Sequence, residues 1–252
     1  MISGSKPTDN GAFILTENER DELLEKYPGA NVFLKRFMGA DDFINAKRRY
    51  CIYISDHNVE LANTIPDIAE RIRLCKQFRM KSSKKATVKK ANTPHLFDEP
   101  KHQDTNAILF PIVSSCRRKY VPLGYVNSDV VISNLALVIY NPSLFMFGIL
   151  SSKMNMLWLA TVGSRMRNDY RYSVAYCYNN FPFPEVSEDI KDHIEQLTAN
   201  ILMIRENYPE QNIARLYDPD YMPEDLLQAH ELLDIQVEKV YSTEKFNSDD
   251  ER

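Results

Sequence analysis

Residues 106–150, NAILFPIVSSCRRKYVPLGYVNSDVVISNLALVIYNPSLFMFGIL, hold the pattern that decides the fold. Four apolar runs (107–113, 119–126, 130–140 and 143–150) are divided by Pro, Gly, Asn and Ser. Short runs rich in β-branched and aromatic residues, bounded by turn formers, predict a mainly antiparallel sheet with helical insertions, an α+β arrangement. The longest run, 130–140, is broken by Ser133 and Asn134 and suits a buried strand or a short helix. Beyond it, MNMLWLATVGSRM (154–166) predicts a helix with Leu157, Ala160 and Thr161 on its buried side.

Working toward the N-terminus, RYCIYIS (49–55) alternates as a strand does. Leu61, Ile65, Ile68, Ile72 and Cys75 fall on one helical face, with Pro66 tolerated in a first turn. Arg71, Arg73, Lys76 and Arg79 occupy the opposite face, and residues 71–90 hold nine Lys/Arg and no acid. That run suits either phosphate contact or a solvated helix face and linker. Thr16 predicts a helix start with Glu19 completing a capping box, and Tyr27-Pro28-Gly29 ends it. Residues 1–16 are rich in Gly, Ser, Pro, Asp and Asn, and their irregular texture predicts a connector from a preceding domain.

Toward the C-terminus, the Pro-rich FPFPE (181–185) precedes a helix opened by Ser187, with Glu188 and Asp189 in its first turn. Ile190, Ile194, Leu197, Ile201 and Ile204 form its apolar stripe, stopped at Tyr208-Pro209. Pro223 opens a second stripe through Leu226, His230, Leu233, Val237 and Val240. The two amphipathic helices form a hairpin that must pack on something. The expected organisation is therefore 1–28 connector plus short helix, 29–185 principal domain and 186–252 C-terminal helical segment.

Charge follows this division. Residues 186–252 carry 17 Asp+Glu against 6 Lys+Arg, so within a chain total of −4 the first 185 residues carry +7. A basic body with an acidic appendage fits a body that meets phosphates.

Several chemistries are excluded. The seven glycines form neither a GxGxxG nor a P-loop, and no GxSxG elbow exists. The five histidines never fall at metal-ligand spacing, and the four cysteines contain no CxxC pair, which argues against zinc or a disulfide frame and for reduced thiols in a cytoplasmic protein. Pro66-Asp67 lacks the acid-x-Lys partner of a nuclease. Asn180-Phe181-Pro182-Phe183 has Phe where the base-holding Asn-Pro-Pro-aromatic loop of amino-methyltransferases has Pro, and reads as a turn. No apolar run reaches the roughly 18 residues needed to cross a bilayer, and no membrane partner is expected. Catalytic and metal residues are expected to be none.

What remains is basic and aromatic. Lys47-Arg48-Arg49 leads into the first strand; Ser114, Ser115, Arg117, Arg118 and Lys119 lie between two strand-like runs; Arg165, Arg167, Tyr170 and Arg171 follow the Trp158 helix. Cations and small hydroxyls suit phosphates, and forked Arg donors suit guanine in the major groove. The plain alternative is a core-bordering salt bridge and stack, especially at Arg171-Tyr172.

In order, SGSKPTDNGAFILT (3–16), FLKRFMGADDFINAKRRYCIYI (33–54), VSSCRRKYVPLGYV (113–126), FGILSSKMNMLWLATVGSRMRNDYRYS (147–173), YNNFPFPE (178–185) and LYDPDYMPEDLLQAHELLD (216–234) resemble the C-terminal third of MmeI-like restriction-modification enzymes. The resemblance runs from Gly4 to about Val240. It implies a DNA target recognition domain with a helical tail, serving an adenine-N6 methyltransferase that uses S-adenosylmethionine. The family's cofactor loop and catalytic motif lie upstream of Met1, so no cofactor is expected in this chain, and family members usually continue past Arg252. The implied partners are double-stranded DNA and the methyltransferase domain of the same polypeptide; a protein-docking module without base reading is the alternative. Positions shared across a family with many targets are expected to hold phosphates or the fold, with base readers nearby, around Lys153–Asn155 (Lys153 and Asn155 foremost) or Asn127–Asp129.

Overall fold

The computed structural model describes residues 1–251. Along the chain run strands β1 (Ile2–Ser3) and β2 (Ile14–Leu15), helix α1 (Glu17–Lys26), β3 (Leu34–Met38), α2 (Ala40–Ile44), β4 (Tyr50–Ile52), α3 (Val59–Asn63), α4 (Pro66–Met80) and α5 (Lys85–Lys89). Next come β5 (Ala107–Pro111), β6 (Val113–Ser114), β7 (Gly124–Val126), β8 (Val130–Ile132) and β9 (Ala136–Tyr140). They are followed by α6 (Leu144–Ser151), α7 (Lys153–Val162), β10 (Ser164–Met166) and β11 (Asp169–Arg171), and then by α8 (Glu188–Glu206), α9 (Ile213–Leu216) and α10 (Glu224–Tyr241).

The predicted α+β architecture holds, with the strands divided among three small sheets, β1-β9-β5-β7, β2-β4-β3-β8 and β10-β11-β6. Among the named strands every pairing is antiparallel except β3 with β8, where Arg36, Phe37 and Met38 pair in register with Val130, Val131 and Ile132. The run 130–140 is two strands, not one: β8 lies in one sheet and β9 in another, and the chain turns between them at Ser133–Leu135.

Residues 1–15 do not behave as a connector. β1 pairs with β9, the Gly4 N–H donates to the Ala136 carbonyl at 3.1 Å, and the Ser5 N–H donates to Ile132 at 2.7 Å. This backbone lies so close to the β8–β9 turn that a Cβ on Gly4 would stand 2.3 Å from the Ser133 carbonyl oxygen. Buried Asp9 receives the Phe13 N–H at 2.6 Å, and Phe13 is fully buried. Gly and Ser here serve close backbone approach rather than flexibility.

The expected helix from Leu61 to Cys75 is broken. Pro66 stands at the first position of α4, after a separate turn α3, which leaves Leu61 exposed while Ile68, Ile72 and Cys75 are buried. Arg79, expected on the solvated face, is fully buried. Its Nε donates to the Thr8 carbonyl, Nη1 to Lys90 and Thr93, and Nη2 to Pro7 and Leu96, at 2.7–3.1 Å. All five guanidinium N–H groups are thereby used, and the N-terminal segment, α4 and the loop after α5 are tied to one point.

The predicted capping box on α1 is present, with Thr16 and Glu19 exchanging hydrogen bonds. The helix in 154–166 exists as α7 but buries Asn155, Met156 and Leu159; Thr161 is exposed and Leu157 and Ala160 half-buried. The C-terminal stripes do pack: Ile194, Ile201, Leu226, Leu233 and Val237 share a core with Ile149 of α6 and with Tyr120. α6 and α8 approach so closely that a Cβ on Gly148 would meet Thr198 Oγ1 at 2.3 Å.

Tyr120 joins the two portions. Its ring stacks on His230 at 4.2 Å and its hydroxyl donates to Asp234 Oδ2 at 2.7 Å, while Asp234 Oδ1 accepts the Lys153 N–H at the start of α7. His230 Nε2 lies 3.0 Å from the Tyr217 hydroxyl. Burial pushes His230 down to about 3 and Asp234 up to about 6, so His230 is a structural histidine.

Two outcomes follow. Replacing Arg79 with Met removes all five donors at once and leaves the Thr8 and Leu96 carbonyls with none among the described residues, which should cost about 3–5 kcal/mol in urea unfolding; a loss below about 1 kcal/mol would show that the carbonyls find other partners. Asp234 binds its proton more tightly folded than at its ordinary value of 3.8. Its contribution is therefore full below about pH 4 and is lost as pH rises through 6. The stability of Asp234→Asn relative to the parent should improve by about 3 kcal/mol between pH 4 and pH 7.5. A pH-independent difference would place the carboxyl in water.

Candidate nucleic-acid interface

Phosphate contact needs cations that are exposed and not held by a strong partner. The fold sorts the basic residues by that criterion. Arg49 does not meet it: its Nε donates to Asp42 Oδ1 at 2.8 Å and its Nη2 bonds the other oxygen. Asp42 is buried and also accepts the Gly39 N–H. This bidentate pair locks α2 to the start of β4, and pulling Arg49 away would leave a buried carboxylate uncompensated. Lys47 with Asp41 at 2.5 Å and Arg48 with Glu17 at 3.2 Å are exposed pairs, which are weak enough to exchange an acid for a phosphate.

Between β6 and β7, the loop 115–119 presents Arg117, Lys119 and Cys116 to solvent. Arg117 pairs with exposed Asp220, and its N–H faces Ser115 Oγ at 3.4 Å. Arg118 is half-buried, and desolvation lowers its proton affinity against the pull of Asp218 and Asp169. Ser114 lies inside β6 with a buried hydroxyl that has no hydrogen-bond partner among the described residues, so it is a sheet residue, not a surface donor.

Lys153 and Asn155 are the clearest departure from expectation. Asn155 is fully buried; its Nδ2 donates to the Leu150 carbonyl at 2.7 Å and its N–H to Ser152 Oγ. The sequence around it is a helix start capped by Ser152, which turns the side chain inward. Lys153 is half-buried and its Nζ meets Asp249 at 2.5 Å. Asn155 cannot touch a base. The turn Asn127–Asp129, by contrast, is at the surface, closed by the Asp129 N–H on Asn127 Oδ1 and braced by Lys35 Nζ on the Ser128 carbonyl. Arg36 stands beside it on β3, exposed; it is a surface cation that its strand-like surroundings gave no reason to select.

The hairpin β10–β11 gathers the strongest features. Every residue of β10 is exposed, and the turn is made by Arg167 at φ 59° with Asn168. Arg165 lies over the Tyr170 ring at 4.1 Å and donates to the Asn168 carbonyl at 3.1 Å, which holds its guanidinium flat along the ribbon. Among the described residues, Arg165, Arg167 and Arg171 have no carboxylate partner. β11 continues onto β6 with Tyr170 opposite Ser114, and Asp169 Oδ1 takes the Cys116 N–H at 3.3 Å. Hairpin and loop 115–119 are therefore one rigid unit, whereas Lys47–Arg49 belong to a different sheet. A two-stranded ribbon of this kind is narrow enough for a major groove.

No helix among the described residues is long and apolar enough to cross a membrane, and no His/Cys/Asp/Glu group has metal-site geometry.

Comparison with known proteins gives the family. Residues 1–185 match the family model for the MmeI target recognition domain, and residues 186–252 the one for the MmeI C-terminal domain. DNA methyltransferase A of Bacillus subtilis (strain 168) is 42% identical over 250 residues, which is 99% of this chain and 28% of that protein. The type IIL restriction-modification enzyme MmeI, solved in complex with DNA, superposes with a TM-score of 0.92 at 37% identity, covering 98% of this chain and 33% of that one. The chain thus spans about a third or less of the length of the relatives it matches. It belongs to the MmeI family, as a target recognition domain followed by the MmeI C-terminal domain.

Proposed function

We propose that this chain reads a short DNA sequence on behalf of a methyltransferase domain carried by the same polypeptide, in the cytoplasm. The observation that carries the reading is the exposed β10–β11 ribbon, with three arginines free of carboxylate partners, locked to a basic loop. The ribbon lies along the major groove and its arginines hold the flanking phosphates, joined by Arg117, Lys119, Lys47 and Arg48 as these exchange their exposed acids for phosphates, while base edges are met by neighbouring surface residues. The solved relative bound to DNA supports the same reading.

The reaction belongs to the remainder of the polypeptide, which flips a target adenine out of the stack and methylates N6 from S-adenosylmethionine. That part of the proposal rests on the family resemblance. The chain's own task is positioning: its ribbon and loop fix the register of the duplex, and register decides which adenine reaches the neighbouring pocket. The acidic α8–α10 unit packs on α6 and on Tyr120 through its apolar stripes, so it contacts the methyltransferase domain through its polar outer face.

Replacing Arg165, Arg167 and Arg171 together with Ala should weaken duplex binding and flatten the slope of log K against log salt by about one unit per lost phosphate contact. Fluorescence anisotropy over a salt series measures both. Unchanged affinity and slope would remove the ribbon from the interface. Incorporation of labelled methyl groups into DNA by the isolated chain would refute the division of labour.

A further inference from the structure

The molecule carries a second concentration of positive charge outside the ribbon and its loop. Residues 71–90 hold nine Lys/Arg and no Asp/Glu, and the fold divides them into two sets. Arg71 bonds the Ala12 carbonyl and Glu19, Arg73 bonds Glu70, Arg79 is buried on carbonyls, and Lys90 donates to the Asp98 carbonyl. Lys76 and Lys81 at the end of α4, Lys84 at the cap of α5, and Lys85 and Lys89 within it form the other set. All five are exposed, and among the described residues none has a carboxylate partner.

A helix C-terminus attracts one or two cations through its free carbonyls, but not five. Nor is this a loose linker. Arg79 grips the Lys90 and Thr93 carbonyls just beyond α5, so the segment carrying the lysines is anchored at both ends to the α4 core. Five exposed ammonium groups carried within residues 76–89 on two packed helices, with no acid among them in the sequence, repel one another, and a dense line of negative charge relieves that repulsion. Lysine is a compact point charge without the planar fork that reads a base edge, so the strip suits phosphates whatever the sequence. It is also anchored in a different core from the ribbon: α4 packs with Phe13, Phe33 and Ile52, whereas the ribbon's Tyr170 packs with Phe110 and Tyr172.

We infer that the α4–α5 strip is a second, sequence-independent binding surface for the phosphate backbone of duplex DNA, engaging a stretch other than the one along which the ribbon lies. The inference rests on the DNA-binding reading above and extends it to a separate surface.

The test uses the full chain carrying Lys76→Gln, Lys81→Gln, Lys84→Gln, Lys85→Gln and Lys89→Gln, beside a second variant with Arg at the same five positions. Binding to a random-sequence duplex several helical turns long is followed over a salt series. Neutralisation should flatten the slope by about 3–4 units, and the Arg variant should keep it. In the unmodified chain, the duplex should protect these lysines from acetylation, read by mass spectrometry, which does not depend on how the variants fold. If the unmodified chain binds the duplex but the Gln variant keeps its slope and the lysines stay reactive, the strip is not a DNA surface and the ribbon reading stands. The inference equally fails if neutralisation abolishes only association with another protein or a second copy. If the unmodified chain binds no duplex at any salt concentration, both readings fall.

Discussion

A single buried guanidinium holds the basic half of this molecule in shape. Arg79 sits in the interior with no ion-pair partner among the described residues, and all five of its N–H groups are met by carbonyls from two separate stretches of chain, 7–8 and 90–96. Such a group tolerates no partial arrangement, because a missing carbonyl leaves a charged donor facing nothing. The N-terminal segment, the last turn of α4 and the loop beyond α5 must therefore be in place together. The irregular backbone of residues 5–9 gains its definition from that cation and from the β8–β9 turn rather than from any regular pattern of its own.

A second constraint acts at Tyr120. One aromatic side chain stacks on His230, bonds Asp234 and lies a single residue beyond the basic loop. The loop, the start of α7 and the last long helix are therefore positioned by one cluster. A body that must hold a duplex in fixed register and a tail of opposite charge share an interior here, so they move as one piece where they meet.

The regular elements were legible in the sequence. The capping box at Thr16, the stripes of α8 and α10 and the strand at 50–52 rest on local periodicity and caps, and they stand where the pattern puts them. What escaped was set by distant partners. Arg79 looked like a surface cation because the carbonyls that surround it come from residues 7–8 and 90–96. Asn155 looked available because its burial follows from the Ser152 cap and a carbonyl in the preceding helix. The candidate arginines were visible by type, but which of them were already committed was not. Buried Asp42 commits Arg49 to the fold, whereas Asp220, more than a hundred residues away, holds Arg117 only in an exposed pair.

The tip of the ribbon carries a conformational cost. Arg167 holds a backbone conformation that glycine or asparagine adopts with ease and that a side chain bearing a β-carbon resists, by on the order of 1 kcal/mol. A glycine there would make a more comfortable turn and erase a charge at the exposed corner of the hairpin. The tip thus carries a charge at the expense of backbone comfort, and it is shaped toward what it meets outside the protein rather than toward its own ease.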